Sequence, residues 1–458
     1  MKRVVVVGSG LAGLSVANRL VSAGIKPLVV EREPQVGGHC RSFRYGDYTF
    51  DVGIHCFDRS EDEVGEFLMS HCRQTLVPIP QKKVACYFRG AYRQELGIER
   101  LRYLPLPLLL RGLWDLVRQE RPADGRSLQG AVEACYGRTF FDIVVRQRIE
   151  RLLGVPCDQV HVDVGTLFWL IPPKEQLSRA TLAKKILQRL RAVFRFRAAE
   201  DASTAFEAFY PSPRGFGGFC ESLAQTVIAG GGTVRTGASI DSVQVRQGLV
   251  TGVMINGQLE EADELVWTGE ITPLLRLLGL AAEAPLPSVN LVLFNFEMAG
   301  SPAHDYLWVE YADADPLVAR ASLTTLHRPA NAPAGHYGIS AEVPCRADET
   351  IWEDPASFMM AVQDQLVRTK FVPDRSSFGP GHIERFSRVW PLLDVAYQER
   401  LDRSLASLAQ AASNVHLTNQ AGGGFQPIGR IIRRALEVSK RIAEAPAPPS
   451  ELIGSRLS

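Results

Sequence analysis

Three glycines, Gly8, Gly10 and Gly13, follow directly on an apolar run, Val4 to Val7, and an acid, Glu31, closes a second apolar stretch, Pro27 to Val30. Residue types in this order suit the binding of a dinucleotide. A short apolar run bounded by glycines reads as a buried parallel strand, and glycines at this spacing open a helix. Gly8 permits the tight turn. Gly10 has no side chain to hold a pyrophosphate off the backbone, and Gly13 lets the helix pack closely on the strand. Leu11 and Ala12 begin that helix, whose free N–H groups and positive dipole end face the phosphates. Asn18 to Ala23 finish it and Gly24 ends it. The Glu31 carboxylate, with Arg32 beside it, is placed to accept hydrogen bonds from ribose hydroxyls. The glycines alone are a weak signal. Strand, turn, helix, second strand and acid in the required order make a set of ordinary turn glycines the poorer reading.

Gly37-Gly38-His39-Cys40-Arg41-Ser42 comes just after the acid, and Tyr48 to Phe57 (YTFDVGIHCF) follows. These segments resemble flavoproteins built like amine oxidases, protoporphyrinogen oxidase, phytoene desaturase and UDP-galactopyranose mutase. The resemblance implies FAD rather than NAD, with the glycine pair letting the chain pass close to it. In that superfamily a basic residue directly follows the pair. Here His39 stands in that place and Arg41 two positions on, so either can meet the flavin phosphates, with Ser42 next to them. The resemblance also implies that Gly53, Ile54 and His55 form the turn beside the isoalloxazine ring.

Phe209 to Phe219 (FYPSPRGFGGF) is similar to the family's entry to a helix. Asp263 to Gly269 (DELVWTG) is similar to its strand returning to the cofactor domain, which implies that Val243 sits against the adenine. Val415 to Gly429 resembles the last FAD motif. The usual Gly-Asp pair, whose aspartate binds the ribityl chain, is replaced by Asn419-Gln420; glutamine can still donate to and accept from a hydroxyl. Gln426, Pro427 and Ile428 lead into a helix whose N-terminus can stabilise the electron-rich edge of reduced flavin. No cysteine lies beyond Cys345, so the C-terminal thioether link of some amine oxidases is not available, and noncovalent FAD is expected.

The residues expected to do chemistry are few. The nine histidines show no HxxxH or HExxH spacing, so no metal is expected, and no Ser/His/Asp or paired-carboxylate set stands out. In a flavin enzyme the cofactor carries the redox step. His55 either hydrogen-bonds the ring or substrate, or packs as a structural histidine. Glu384 to Pro391 (ERFSRVWP) resembles the last strand of the family's substrate-facing sheet, where Trp390 either walls the pocket or joins the core. Arg388 and Arg214 either meet an anionic substrate or pair within the protein, and Tyr397 is a weaker pocket candidate. The resemblance implies a two-electron oxidation or desaturation of a small organic substrate, at an amine or a C–C or C–N bond, against flavin N5. The alternatives are a redox-neutral reaction on a nucleotide sugar, as in UDP-galactopyranose mutase, or an FAD fold without catalysis, suggested by Asn419-Gln420.

These residues need a scaffold that brings distant segments together. The fold expected is α/β: a Rossmann-type FAD-binding domain from 1–75, 205–285 and 380–445, interleaved with an α+β substrate domain from 76–204 and 286–379, and a tail at 446–458. A chain of 458 residues has room for both. Helices are predicted over 61–71, 128–136, 140–153, 182–196, 221–229, 355–367, 398–412 and 430–442. A hairpin is predicted over 83–92, and strands over 239–246, 249–255, 286–297, 305–311 and 336–343. An apolar content of 46% with 22% charged residues is that of a soluble globular protein. A net charge of +1 gives no general attraction to nucleic acid. No signal peptide precedes Val4 and no apolar run nears the ~18 residues of a membrane span. Eight scattered cysteines without CxxC spacing read as reduced thiols of a cytoplasmic protein. The stretch 178–197 holds seven cations and no acid, interleaved with apolar residues. It reads as a solvated helix face, or as a peripheral membrane or protein contact.

Overall fold

The structure is a computed structural model. It describes residues 2–58, 62–72, 76–79, 83–94, 98–118, 125–164, 208–211, 214–283, 287–313, 316–418 and 428–445. The basic stretch 178–197, the positions Asn419, Gln420, Gln426 and Pro427, and the tail lie outside these residues.

A five-stranded, all-parallel sheet carries the glycine loop, in the order Thr233–Arg235, Leu28–Val30, Val4–Val7, Glu264–Trp267, Val415–Leu417. Its strands come from three separate parts of the chain. Alternation along Val4–Val7 sorts its side chains to two faces. Val4 and Val6 pack with Val16, Ala17 and Leu20 of helix Leu11–Ser22 and with Ala435, Val438 and Ile442 of helix Ile428–Glu444. Val5 packs the other way, with Val243 and Val253 of a three-stranded antiparallel sheet. Both faces are covered, which is why this strand reads as an unbroken apolar run.

The second sheet has seven strands, in the order Phe378–Pro391, Ser288–Ala299, His336–Cys345, Arg320–Leu323, Trp308–Tyr311, Val84–Phe88, Ala91–Arg93. One face is apolar: Val292, Phe294, Phe296 and Met298 pack with Ile339, Ala341, Leu323 and Val362. The opposite face buries polar side chains, Asn295, Ser322, Ser340 and Glu342, and meets the hairpin of Ser42–Tyr45 and Tyr48–Asp51. A helical block, Leu106–Arg118 through Gln147–Leu153, packs beside this sheet around Leu128, Phe141 and Ile149. Helices Arg138–Phe141 and Gln147–Leu153 are joined by a π-helical turn, Asp142–Arg146.

Three expectations need correcting. The strand Phe378–Pro391 pairs along most of its length with Ser288–Ala299, so the substrate-side sheet ends near Pro391 and not at 380. The helix expected at 221–229 begins at Gly215. A Cβ on Gly217 would lie 2.6 Å from the Ser42 nitrogen, so close packing overrides the poor helix propensity of its glycines. The strand Arg320–Leu323 and the helix Ile271–Leu277 are additional. The strand is too short to show alternation, and Pro273 masks the helix start.

Candidate cofactor and substrate site

The glycine loop sits at the C-terminal edge of the parallel sheet, where α/β sheets bind ligands. A Cβ on Gly13 would lie 1.9 Å from the Gly8 carbonyl oxygen, and one on Gly8 would lie 2.1 Å from Thr268 Oγ1. Packing therefore demands glycine at both positions. At Gly10 it does not: a Cβ there would meet nothing nearer than Gly37 O and Gly38 Cα, both at 4.0 Å, and the φ of −68° suits any residue. The open space over Gly10 fits a group that must approach the backbone, and a pyrophosphate is such a group. No side chain caps the helix that follows, and its first turn holds no acid. Its N–H groups and dipole are thus left for an anion. Glu31 is held ready beside them. Its carboxylate accepts from the Ser9 N–H at 2.8 Å, the Ser9 hydroxyl at 2.9 Å and the Glu33 N–H at 2.9 Å.

The second glycine pair closes over the first. The Gly37 N–H donates to Ser9 O at 2.9 Å, and both Gly37 (φ 111°) and Gly38 (φ 55°) occupy the left-handed region. His39 is open to solvent at its surface, yet crowding by protein, then the Arg41 charge, lowers its pKa. Arg41 lies with its guanidinium 4.9 Å from the Phe386 ring centroid, which joins this loop to the last strand of the second sheet.

His55 is where the loop meets that sheet. Burial, then the charges of Arg320, His39 and His327, lower its pKa to about 4, against a hydrogen bond with the Gly53 backbone. The ring is neutral near pH 7, and its buried Nδ1 has no hydrogen-bond partner. Gly53 (φ 73°) turns against the ion pair of Arg320 and Glu342, to whose nearest atoms a Cβ there would be 3.4–3.5 Å. That pair is bidentate, 2.8 and 2.7 Å, and Glu342 is buried. Arg320 also stands opposite Glu310 across the strands, and Glu310 pairs with Arg148 of the helical block at 2.5 Å. Arg148, Glu310, Arg320 and Glu342 form a row of alternating charge. The row was absent from the sequence reading, as was Arg328, whose Nε and Nη1 are buried without hydrogen-bond partners. Arg328 lies near enough to Tyr210 to act on its hydroxyl electrostatically.

Asp51 ties the two halves together. Its carboxylate accepts from Ser42 Oγ (2.5 Å), the Tyr210 hydroxyl and the Phe216 N–H (3.2 Å). Burial pushes its pKa up against these bonds.

Other predicted residues fall as follows. Leu11 is buried and Ala12 half-buried at the helix start, while Arg32 is exposed. Ile54 is half-buried beside His55. Val243 is in the core below the antiparallel sheet. Ile428 begins its helix and packs near Phe57 and Phe216. Trp390 is half-buried at the end of its strand, opposite Val289. Arg388 adopts φ 58° and is held by Glu270 through two bonds of 2.7 and 2.5 Å. Arg214 pairs with Glu221 at 2.7 Å. Tyr397 is no pocket residue: it is buried, and its hydroxyl donates to Asp163 at 2.6 Å.

No helix among the described residues is long and apolar enough to cross a membrane. Residues 6–69 match the NAD(P)-binding Rossmann-like domain. The chain is 42% identical to all-trans-retinol 13,14-reductase of Macaca fascicularis over 67 residues, 14% of this chain and 11% of that protein. It is 38% identical to protoporphyrinogen oxidase 2 of Arabidopsis thaliana over 84 residues, 18% and 16% of the two chains. These matches thus span well under a fifth of either relative. Likeness of fold extends over almost the whole chain. Reduced UDP-galactopyranose mutase superposes with a TM-score of 0.78 at 16% identity, covering 98% of this chain and 97% of that one. Putrescine oxidase bound to putrescine superposes with a TM-score of 0.63 at 13% identity, covering 97% and 99%. The N-terminal segment is thus similar in sequence to a Rossmann-like dinucleotide-binding domain, and the chain as a whole shares the fold of UDP-galactopyranose mutase and putrescine oxidase.

Proposed function

We propose that this chain binds FAD noncovalently and catalyses a two-electron oxidation or desaturation of a small organic substrate, at an amine or a C–C or C–N bond. The observation that carries this reading is Gly10, a glycine that neither conformation nor packing requires, over an uncapped helix and beside a preorganised Glu31. The Gly8–Gly13 loop would take the pyrophosphate, Glu31 a ribose and the Gly53–His55 turn the ring. When bound, FAD supplies the redox chemistry at N5. His55, neutral near pH 7 with a buried Nδ1 that has no hydrogen-bond partner, suits orienting a substrate through one hydrogen bond; with a pKa near 4 it is a weak base. Trp390 would wall the substrate pocket. Reduced thiols and a cytoplasmic location accord with this reading.

The purified protein should be yellow, and acid or heat should release FAD. Under anaerobic conditions one of a panel of amines, prenoids, tetrapyrroles or nucleotide sugars should bleach the flavin, with recovery in air or with an electron acceptor. Trp390→Ala should keep flavin content and lower turnover. A colourless protein that takes up no added FAD sinks the proposal. A second, redox-neutral reading on a nucleotide sugar is favoured by the positive charge acting on His55, Arg320 first. It requires activity only after prereduction, with no net reductant consumed.

A further inference from the structure

Helix Leu106–Arg118 faces solvent with the wrong side chains. Leu106, Leu110 and Trp114 are 64%, 56% and 55% exposed. Their i, i+4, i+8 spacing sets them in one stripe, about 80° wide at ~100° per residue. Arg118 and Arg111 flank one side of the stripe, both exposed, and the Arg118 guanidinium lies 4.2 Å from the Trp114 ring centroid. The helix's one acid, Asp115, lies within one turn of both arginines, and its carboxylate is engaged by Thr139. Asp115 accepts from the Thr139 N–H at 3.0 Å and the Thr139 hydroxyl at 2.5 Å. The opposite side is fixed to the protein: a Cβ on Gly112 would lie 2.1 Å from the Phe140 ring, and Leu109 and Leu113 join the cluster of Phe88, Leu104 and Phe140.

A helix mounted on its inner face usually shows water its polar side. This one shows an apolar ridge with two exposed arginines along one side. The other large exposed apolar residues, such as Met69, Ile228, Val245 and Met360, lie singly on different elements, which is ordinary.

We propose that helix Leu106–Arg118 docks the protein on an anionic lipid surface, lying in the plane of the interface without crossing it. Leucine and tryptophan side chains enter the headgroup and acyl boundary, while the arginines extend to lipid phosphates. The charge border selects this occupant, since two exposed arginines, with the one nearby acid already bonded to Thr139, complement an anionic leaflet. The ridge is convex and only three side chains long. A fluid bilayer yields to such a shape, whereas a protein partner would have to bring a matching groove and a far larger area, about 800 Å² a side. The inference does not depend on the reaction catalysed.

The test is sedimentation of the FAD-loaded full chain with vesicles of phosphatidylcholine alone or of equimolar phosphatidylcholine and phosphatidylglycerol. The chain should pellet with the anionic vesicles. Leu106→Ser, Leu110→Ser and Trp114→Ser combined should lower partitioning on the order of a hundredfold while leaving flavin content unchanged. Arg111→Ala with Arg118→Ala should weaken binding about tenfold or more and remove the preference for anionic lipid. Vesicles should shift the wild-type tryptophan emission to the blue, and Trp114→Phe should remove that shift while binding persists. A wild-type chain that stays in the supernatant overturns the proposal. So does a triple-serine variant that binds as well as wild type. A wild-type dimer that the triple-serine variant dissolves, without vesicle binding, would assign the ridge to a second copy of the chain and overturn it too.

Discussion

Between Gly8 and Gly38 the chain leaves an N-terminal helix edge uncapped and sets one acid beside it. Along the seven-stranded sheet, Arg148, Glu310, Arg320 and Glu342 stand in a row of alternating charge. The two regions meet at His55, and they are polar for different reasons. The loop is open, so its polarity is available to a ligand. The row is self-satisfied, so its polarity holds geometry and leaves little charge to offer. Glycines in the loop likewise divide into those that packing needs and one that it does not.

That division gives the largest effect. Gly13→Val should leave no folded protein, because the side chain would overlap the Gly8 carbonyl. Gly10→Val should fold with a near-normal circular dichroism spectrum and melt, yet retain no flavin. Full flavin occupancy in Gly10→Val would mean that the loop has been misread. Loss of folding in both would erase the distinction between the two glycines.

The charged row gives the next effect. Glu342→Ala removes both acceptors of the half-buried Arg320 guanidinium and should cost about 1–3 kcal/mol by urea denaturation. Replacing both partners, Arg320→Met with Glu342→Leu, should recover most of that cost, since paired burial of charge contributes little net stability. A single substitution costing under about 1 kcal/mol would show the pair to be solvated, like a surface bridge.

How far the sequence disclosed each region follows from the same contrast. The loop was legible because its parts are local. Strand, turn, helix and acid are adjacent in the chain, and steric demands on glycine leave a spacing that can be read. The row was not legible. Its members lie at 148, 310, 320 and 342, and only strand register brings them opposite one another. Arg320 sits on a four-residue strand that shows no periodicity of its own. Arg388 shows the converse: its strand was recognised, but its partner Glu270, 118 residues away in sequence, comes from just after the parallel strand Glu264–Trp267. That distant segments meet in one parallel sheet was legible through motif order. The boundary near 380 was not, because pairing with Ser288–Ala299 carries the last strand on to Pro391.

Protonation probes the junction. His55 and His304 both have pKa values lowered to about 4, chiefly by burial. Their folded values lie below the unfolded value near 6.5, so folding favours the neutral rings. The stability this contributes is complete above pH ~6.5 and is lost as pH falls toward about 4, by no more than about 3 kcal/mol for each ring. Urea midpoints should therefore fall between neutral pH and pH ~4.5. His55→Asn or His304→Asn should flatten part of that slope. An unchanged slope in His55→Asn would place the ring in water rather than at a crowded junction.

The smallest effect tests whether the loop is preorganised. The Glu31 carboxylate already accepts three hydrogen bonds, two of them from Ser9. It therefore holds the turn between Gly8 and Gly10 as well as offering itself to a ribose. Glu31→Ala should destabilise flavin-stripped protein by about 1–2 kcal/mol, since the Ser9 and Glu33 donors lose their acceptor. It should also weaken FAD about tenfold, which fluorescence titration would read. Glu31→Gln keeps an acceptor oxygen and should give smaller changes in both. The two losses belong together only if the carboxylate shapes the turn before FAD arrives. An affinity loss with no change in the stability of stripped protein would mean that Glu31 serves the ligand alone, and the loop would then be ordered by its cofactor rather than ready for it.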